Sequence, residues 1–171
     1  MQLTDYMLGE FERVNRNLTR SLKDLKPAEL AWRPGPDCNS IGLILFHAIR
    51  SEDMFVQARI LGKTQLFESE KWSQKMNLPV NITGNGLTQE QVCAFIVPEY
   101  MDLQAYSESV RKQTLDVIKN GSPDRFDRVI AMGPPFGEMS VGSIIGLVIM
   151  HWAQHVGEIG YLRGAQRGMN K

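Results

Sequence analysis

The stretch Val141–Gly164, VGSIIGLVIMHWAQHVGEIGYLRG, decides the fold class. Its apolar residues recur every three or four positions, which is the period of a helix with one buried face. The pattern predicts a helix from about Ser140 to about Arg163, with Gly164 as its stop signal. The predicted buried stripe consists of Val141, Ile144, Val148, His151, His155, Ile159 and Leu162. Two histidines therefore lie four residues apart on a face that should point into the protein.

Two earlier stretches show the same helical period. The first ends at Lys26-Pro27, because proline disfavours helical geometry in the residue before it. The second opens at Ser40, whose hydroxyl can cap free backbone N–H groups, and stops near Gly62. Its predicted stripe consists of Ile44, His47, Ser51, Phe55 and Ala58.

A further helix is predicted to follow the capping box Thr88–Gln91 and to run to Asn120-Gly121. Pro98 lies inside this run, so we expect a kink or a fragmented first turn there. No stretch alternates cleanly between apolar and polar residues with flanking turns. Four amphipathic helices without a clear strand predict an all-α fold, a four-helix bundle with long inter-helix connections.

The two long connections, 62–87 and 120–139, exceed the usual ~2–8 residues between helices in a bundle. The first can hold a short helix around Phe67 to Gln74, and the second contains Asp127 to Met132, an extended piece without an obvious partner. Such loops either shape the mouth of a site or simply cross between helices. The sequence leaves both readings open.

Length and composition predict a single domain over residues 1–171, of which 43% are hydrophobic. Nineteen basic residues balance nineteen acidic ones, so there is no basic footprint for nucleic acid and no polybasic segment for a membrane surface. The apolar stretch Val141–Ala153 is too short to span a bilayer. Two cysteines and a charged N-terminal stretch without a signal peptide predict a reduced, cytoplasmic protein. A homodimer is expected because two-fold dimers are the commonest oligomers.

The chain contains three histidines, His47, His151 and His155, and all three fall on predicted buried stripes. A buried imidazole with unpaired nitrogens costs on the order of 1–3 kcal/mol. A divalent cation removes this cost by taking one nitrogen from each ring, which makes these histidines a candidate metal site. Three protein ligands leave a position for water or substrate, as in catalytic metal sites. The alternative is a set of core histidines that are hydrogen-bonded and bind no metal.

Two segments resemble the DinB superfamily of bacterial metal-binding helical bundles. They are Trp32–Gly42, WRPGPDCNSIG, which precedes His47, and His151–Gly164, HWAQHVGEIGYLRG. The resemblance extends over the whole chain in helix order. It implies that His47, His151 and His155 are metal ligands.

Some relatives of DinB-type proteins are thiol-dependent enzymes, so the resemblance implies a metalloenzyme that transfers a low-molecular-weight thiol to a small electrophile. The metal, Zn, Ni, Mn or Fe, is not determined by three imidazoles. A non-catalytic metal-binding stress-response protein and a purely structural interaction bundle remain alternatives. No catalytic residue is identified, and Trp152 rules out a His-Glu-x-x-His protease motif.

Four other residues, Glu52, Asp53, Glu158 and Cys38, can have either a role at the site or an ordinary structural role. Glu52, Asp53 and Glu158 can orient the histidines or be ordinary solvated charges. Cys38, just before a helix, is either a reactive thiol or an incidental loop residue. Cys93 is expected to be core or lining.

Overall fold

The structure is a computed structural model, and it describes residues 2–168. Four long helices provide most of its core, and shorter elements connect them. In chain order the elements are α1 (Leu3–Ser21), α2 (Pro27–Ala31), α3 (Ile41–Asp53), α4 (Leu66–Ser69), α5 (Trp72–Lys75), α6 (Gln89–Ala94), α7 (Tyr100–Lys119), α8 (Pro123–Asp127), β1 (Val129–Gly133), β2 (Gly137–Ser140) and α9 (Val141–Arg167). The predicted all-α class is confirmed as a mostly helical fold.

The predicted helix starts are confirmed at their caps. The Ser40 hydroxyl accepts a hydrogen bond from the backbone N–H of Leu43, and the Ser140 hydroxyl accepts one from the N–H of Ser143. Thr88 forms the predicted capping box with Gln91. Each cap satisfies backbone donors that the first helical turn leaves free.

The expected interruption at Pro98 is confirmed, and it divides the predicted third helix in two, because the chain leaves helical geometry after α6 and resumes it at Tyr100. The break surrounds Pro98, which has no N–H to donate and restricts Val97 before it to extended geometry. Val97 then packs against α3, where a Cβ on Gly42 would lie 2.1 Å from its Cγ1 atom.

The second predicted helix continues beyond α3 through the π-helical turns Met54–Ile60. There the backbone N–H of Leu61 donates to the carbonyl oxygen of Val56, five residues back, at 3.0 Å. Such wider turns are rare and occur often beside functional sites. The helix ends near the predicted Gly62, whose φ of 63° suits glycine.

A small antiparallel hairpin corrects the expectation that Asp127 to Met132 has no partner. Strand β1 pairs with β2, and the ladder is irregular between Ala131 and Gly133. Because β2 is only four residues long and reads GEMS, it carries no apolar alternation to reveal it. The predicted short helix around Phe67 to Gln74 is present as two short helices, α4 and α5.

The four long helices pack pairwise around a shared core. Helix α1 contacts α9 and α7, and α3 contacts the same two helices. The largest fully buried side chains include Trp152, Tyr106, Phe11 and Phe46. Between residues 2 and 168, no helix is both long enough and apolar enough to cross a membrane.

Candidate metal centre

The three histidines meet between α3 and α9. The Nε2 atom of His151 lies 3.2 Å from the Nε2 atom of His47 and 3.1 Å from that of His155. One nitrogen of each ring lies within 4.8 Å of the other two, and all three side chains are half-buried. The structure therefore brings together the three residues that the sequence selected.

Helix geometry explains how this cluster arises. His151 and His155 project from the same side of α9, one turn apart, because they are four residues apart. Their ring centroids are 4.4 Å apart. His47 comes from the facing helix, and its ring centroid lies 5.1 Å from each of the other two.

Hydrogen bonds to the outer nitrogens fix two of the rings. His47 Nδ1 lies 3.1 Å from the carbonyl oxygen of Thr83, and His155 Nδ1 lies 2.7 Å from a carboxylate oxygen of Glu158. Both oxygens accept only, so each Nδ1 atom carries the proton when the ring is neutral. The Nε2 atoms of His47 and His155 then present lone pairs toward the third ring.

Electrostatics favour the neutral form of His151 and His47. Burial, together with the neighbouring His155 and His47, lowers the pKa of His151 to about 4. Burial also lowers the pKa of His47. Neutral imidazoles are the form that a metal ion binds.

The spacing of the nitrogens fits a cation. Two ligands at 2.0–2.1 Å from one ion lie about 3.3 Å apart in tetrahedral geometry and about 2.9 Å apart in octahedral geometry. The two observed separations, 3.1 and 3.2 Å, fall between these values. A proton on His151 Nε2 that is shared with the other two rings would also fit these distances. The geometry therefore admits a metal ion or a hydrogen-bonded trio.

Of the three candidate supporting carboxylates, only Glu158 contacts a histidine. Glu52 is 2% exposed, so it is not a solvated charge. It does not orient a histidine either, because its carboxylate accepts hydrogen bonds from Arg111 and Thr114 of α7 and from the indole of Trp152 of α9. Asp53 is 0% exposed, and neither of its readings holds. It accepts hydrogen bonds from the backbone of α4 and from the hydroxyl of Tyr106.

A support of His47 that sequence reasoning missed is the loop ahead of α6. The Arg50 guanidinium donates to the carbonyl oxygens of Ile82 and Val80, which holds this loop against α3. Gly84, with a φ of 75°, packs so closely that a Cβ there would lie 2.9 Å from the Cβ of His47. This part of the long connection 62–87 thus borders the centre. In the sequence, only Arg50 hints at this support, because a basic residue one turn after His47 on a helix with a buried face needs hydrogen-bond acceptors nearby.

The two cysteines are free: Cys38 lies in the turn before α3, and Cys93 lies in α6 and contacts that turn. Cys38 is half-buried, and its thiol lies 3.9 Å from a carboxylate oxygen of Asp37. Cys93 was expected to be a core or lining residue; it is exposed and not in the core, and its thiol donates to the carbonyl oxygen of Pro36 at 2.9 Å. Neither belongs to the histidine cluster.

Comparisons with known proteins agree with this architecture. A crystal structure titled as the conserved protein of locus from Enterococcus faecalis is similar, with a TM-score of 0.83 and 20% identity over 96% of each chain. At that identity the likeness shows the fold alone. No curated protein matches the chain. The model of the DinB superfamily matches residues 10–159, a range that includes all three histidines. The chain therefore belongs to the DinB superfamily.

Proposed function

We propose that the protein binds one divalent metal ion through His47, His151 and His155, within a four-helix bundle formed by the long helices. The convergence of three imidazole rings carries this proposal, with Nε2 separations of 3.1 and 3.2 Å. Zn, Ni, Mn and Fe are all candidates, since imidazole ligands alone do not choose among them.

We further propose that the centre is catalytic and transfers a low-molecular-weight thiol to a small electrophile. When bound, a divalent ion lowers the pKa of a coordinated water or thiol. The three histidines add no negative charge to offset that ion. Glu158 and the Thr83 carbonyl hold two of the rings in the orientation that aims their Nε2 atoms at the shared point. Three protein ligands would leave a coordination position of the bound ion for water or a small molecule.

The first experiment measures metal content by elemental analysis after the protein has been soaked in a mixture of first-row divalent ions. About one ion per chain is expected in the wild type and none in a His151→Ala variant. Gln154→Ala is a matched control, because Gln154 is exposed on the same helix and outside the cluster. A wild type that takes up no ion would refute the metal site and favour the hydrogen-bonded trio.

The second experiment separates the catalytic proposal from a non-catalytic metal-binding protein. Zn²⁺, Ni²⁺ or Mn²⁺ at 100 times its dissociation constant should stabilise the fold by about 2.7 kcal/mol. Thiol consumption is then followed with a panel of small thiols and electrophiles, in the loaded protein and in His151→Ala. Stabilisation without turnover would refute the transfer reaction and leave the stress-response or interaction alternative. The single domain over 1–171, the cytoplasmic location and the homodimer stay predictions.

A further inference from the structure

A groove of about 960 Å³ runs between α1 and α7, away from the histidines. Its floor is apolar and includes Leu45 and Ile49 of α3. These two residues lie two positions before and after His47, and each residue turns a helix by about 100°, so they face the side of α3 opposite that histidine. The groove is therefore a separate site from the candidate metal centre.

The groove reaches the core between the second half of α1 and α7. Leu103 at its floor is 1% exposed, while Leu18, Leu22 and Leu115 line it as half-buried side chains. Lining residues extend along α7 from Tyr100 to Lys119, a length of about 30 Å at 1.5 Å per residue. The volume is typical of small-molecule sites, and the length suits an extended acyl chain.

The charges around this groove favour an anionic occupant. Six basic and two acidic side chains line it, although basic and acidic residues balance over the whole chain. Three of the basic groups already pair with carboxylates of the same chain: Arg16 with Glu12, Arg111 with Glu52 and Lys112 with Asp116. Among residues 2–168, Arg20, Lys23 and Lys119 have no such partner.

The same charges argue against a second copy of the chain on this face. A two-fold interface places the same patch of both subunits together. It would therefore bring the basic rim of the groove, Arg20, Lys23 and Lys119, close to the same residues of the second copy, and like charges repel. We propose that the groove binds a free long-chain carboxylate, with its hydrocarbon chain on the leucine floor and its head group at the basic rim.

The test is isothermal titration calorimetry with three amphiphiles of one chain length, each below its micellar concentration: dodecanoate, dodecyltrimethylammonium and dodecyl maltoside. Dodecanoate should bind with about one site per chain and more tightly than the other two. An Arg20→Glu/Lys23→Glu variant should weaken dodecanoate binding by about tenfold, because two attractions become repulsions. Leu18→Trp should weaken binding of all three by filling the groove.

Arg13→Glu is the matched control, since Arg13 is an exposed cation of α1 that does not line the groove. It should bind dodecanoate as the wild type does, and circular dichroism checks that each variant folds. Equal affinities for the three head groups, or no saturable binding, would overturn the proposal. Binding to anionic phospholipid vesicles without binding of free dodecanoate would also overturn it. So would a dimer in sedimentation that dissociates in Leu18→Trp, because a second copy would then occupy the groove.

Discussion

Removing the Glu52 carboxylate should destabilise the protein more than any surface charge would. The side chain is buried and accepts four hydrogen bonds: two from Arg111 at 2.9 Å each, one from Thr114 at 2.6 Å and one from the Trp152 indole at 2.6 Å. Glu52 on α3 therefore joins α7 and α9 through hydrogen bonds to one buried carboxylate.

We expect Glu52→Ala to lower the free energy of unfolding by about 3–5 kcal/mol, the usual cost of breaking one side of a buried ion pair. Most of this cost comes from leaving the Arg111 guanidinium uncompensated. Thr114→Val removes a single hydrogen bond and should cost about 1 kcal/mol. Urea unfolding followed by circular dichroism measures both values, with all variants fitted to one common m-value, the slope of the free energy of unfolding against urea concentration.

The matched control is Glu12→Ala, which breaks the exposed pair between Glu12 and Arg16. Exposed pairs contribute about 0–1 kcal/mol. A loss for Glu52→Ala as small as that of this control would refute the argument. A Glu52→Leu/Arg111→Leu double variant should lose less than the sum of its two single variants, because neither charge is then left alone.

Three further predictions concern the metal centre and the packing of glycines. In metal-free protein, stability should fall as the pH drops from 7 to 5, because an unfolded histidine takes up its proton near pH 6.5 and folded His151 only at about 4. Urea unfolding of His151→Gln should show a smaller fall, and an equal one would contradict this assignment. Gly42→Ala should cost about 1–3 kcal/mol, because its Cβ would lie 2.1 Å from a side-chain carbon of the loop before α7. Gly146→Ala in α9 meets nothing within 4 Å and should stabilise by up to about 1 kcal/mol, so thermal melts that rank the two variants in the opposite order would refute the packing argument. Gly84→Ala should weaken metal uptake in equilibrium dialysis, because its Cβ would press on His47 and its positive φ disfavours a side chain; unchanged uptake would show that the loop does not support the ligand.

Much of the helical framework could be predicted because its signals are local. Ser40, Thr88 and Ser140 cap the helices that the sequence assigned to them, and the α9 stripe follows the helical period over its full length. Pro98 predicts an interruption of the helix, but the length of that break and the pairing of the hairpin depend on contacts between distant parts of the chain. Val97 packs against Gly42 of α3. The four residues of β2 pair with β1 only when the chain turns back at Gly133–Gly137.

The candidate ligands could be predicted because histidine on an apolar stripe is unusual, and there are only three. Their supports could not be predicted in the same way. Glu52 and Asp53 look like solvated charges in a list of residues, and only the facing helices and α4 show that both are buried. Thr83 supports His47 with a backbone carbonyl oxygen, a group that every residue has, so no pattern of side chains marks it.

That dependence on carbonyl groups has a consequence for how the family can diversify. Val80, Ile82 and Thr83 bond to Arg50 and His47 through main-chain oxygen atoms, so the exposed side chain of Val80 can change while its bond to Arg50 persists. The exposed surface of this loop can thus change during evolution, provided that Arg50 and His47 of α3 are kept. Substitutions in this loop can therefore alter the surroundings of the three imidazoles while the helices beneath it stay as they are.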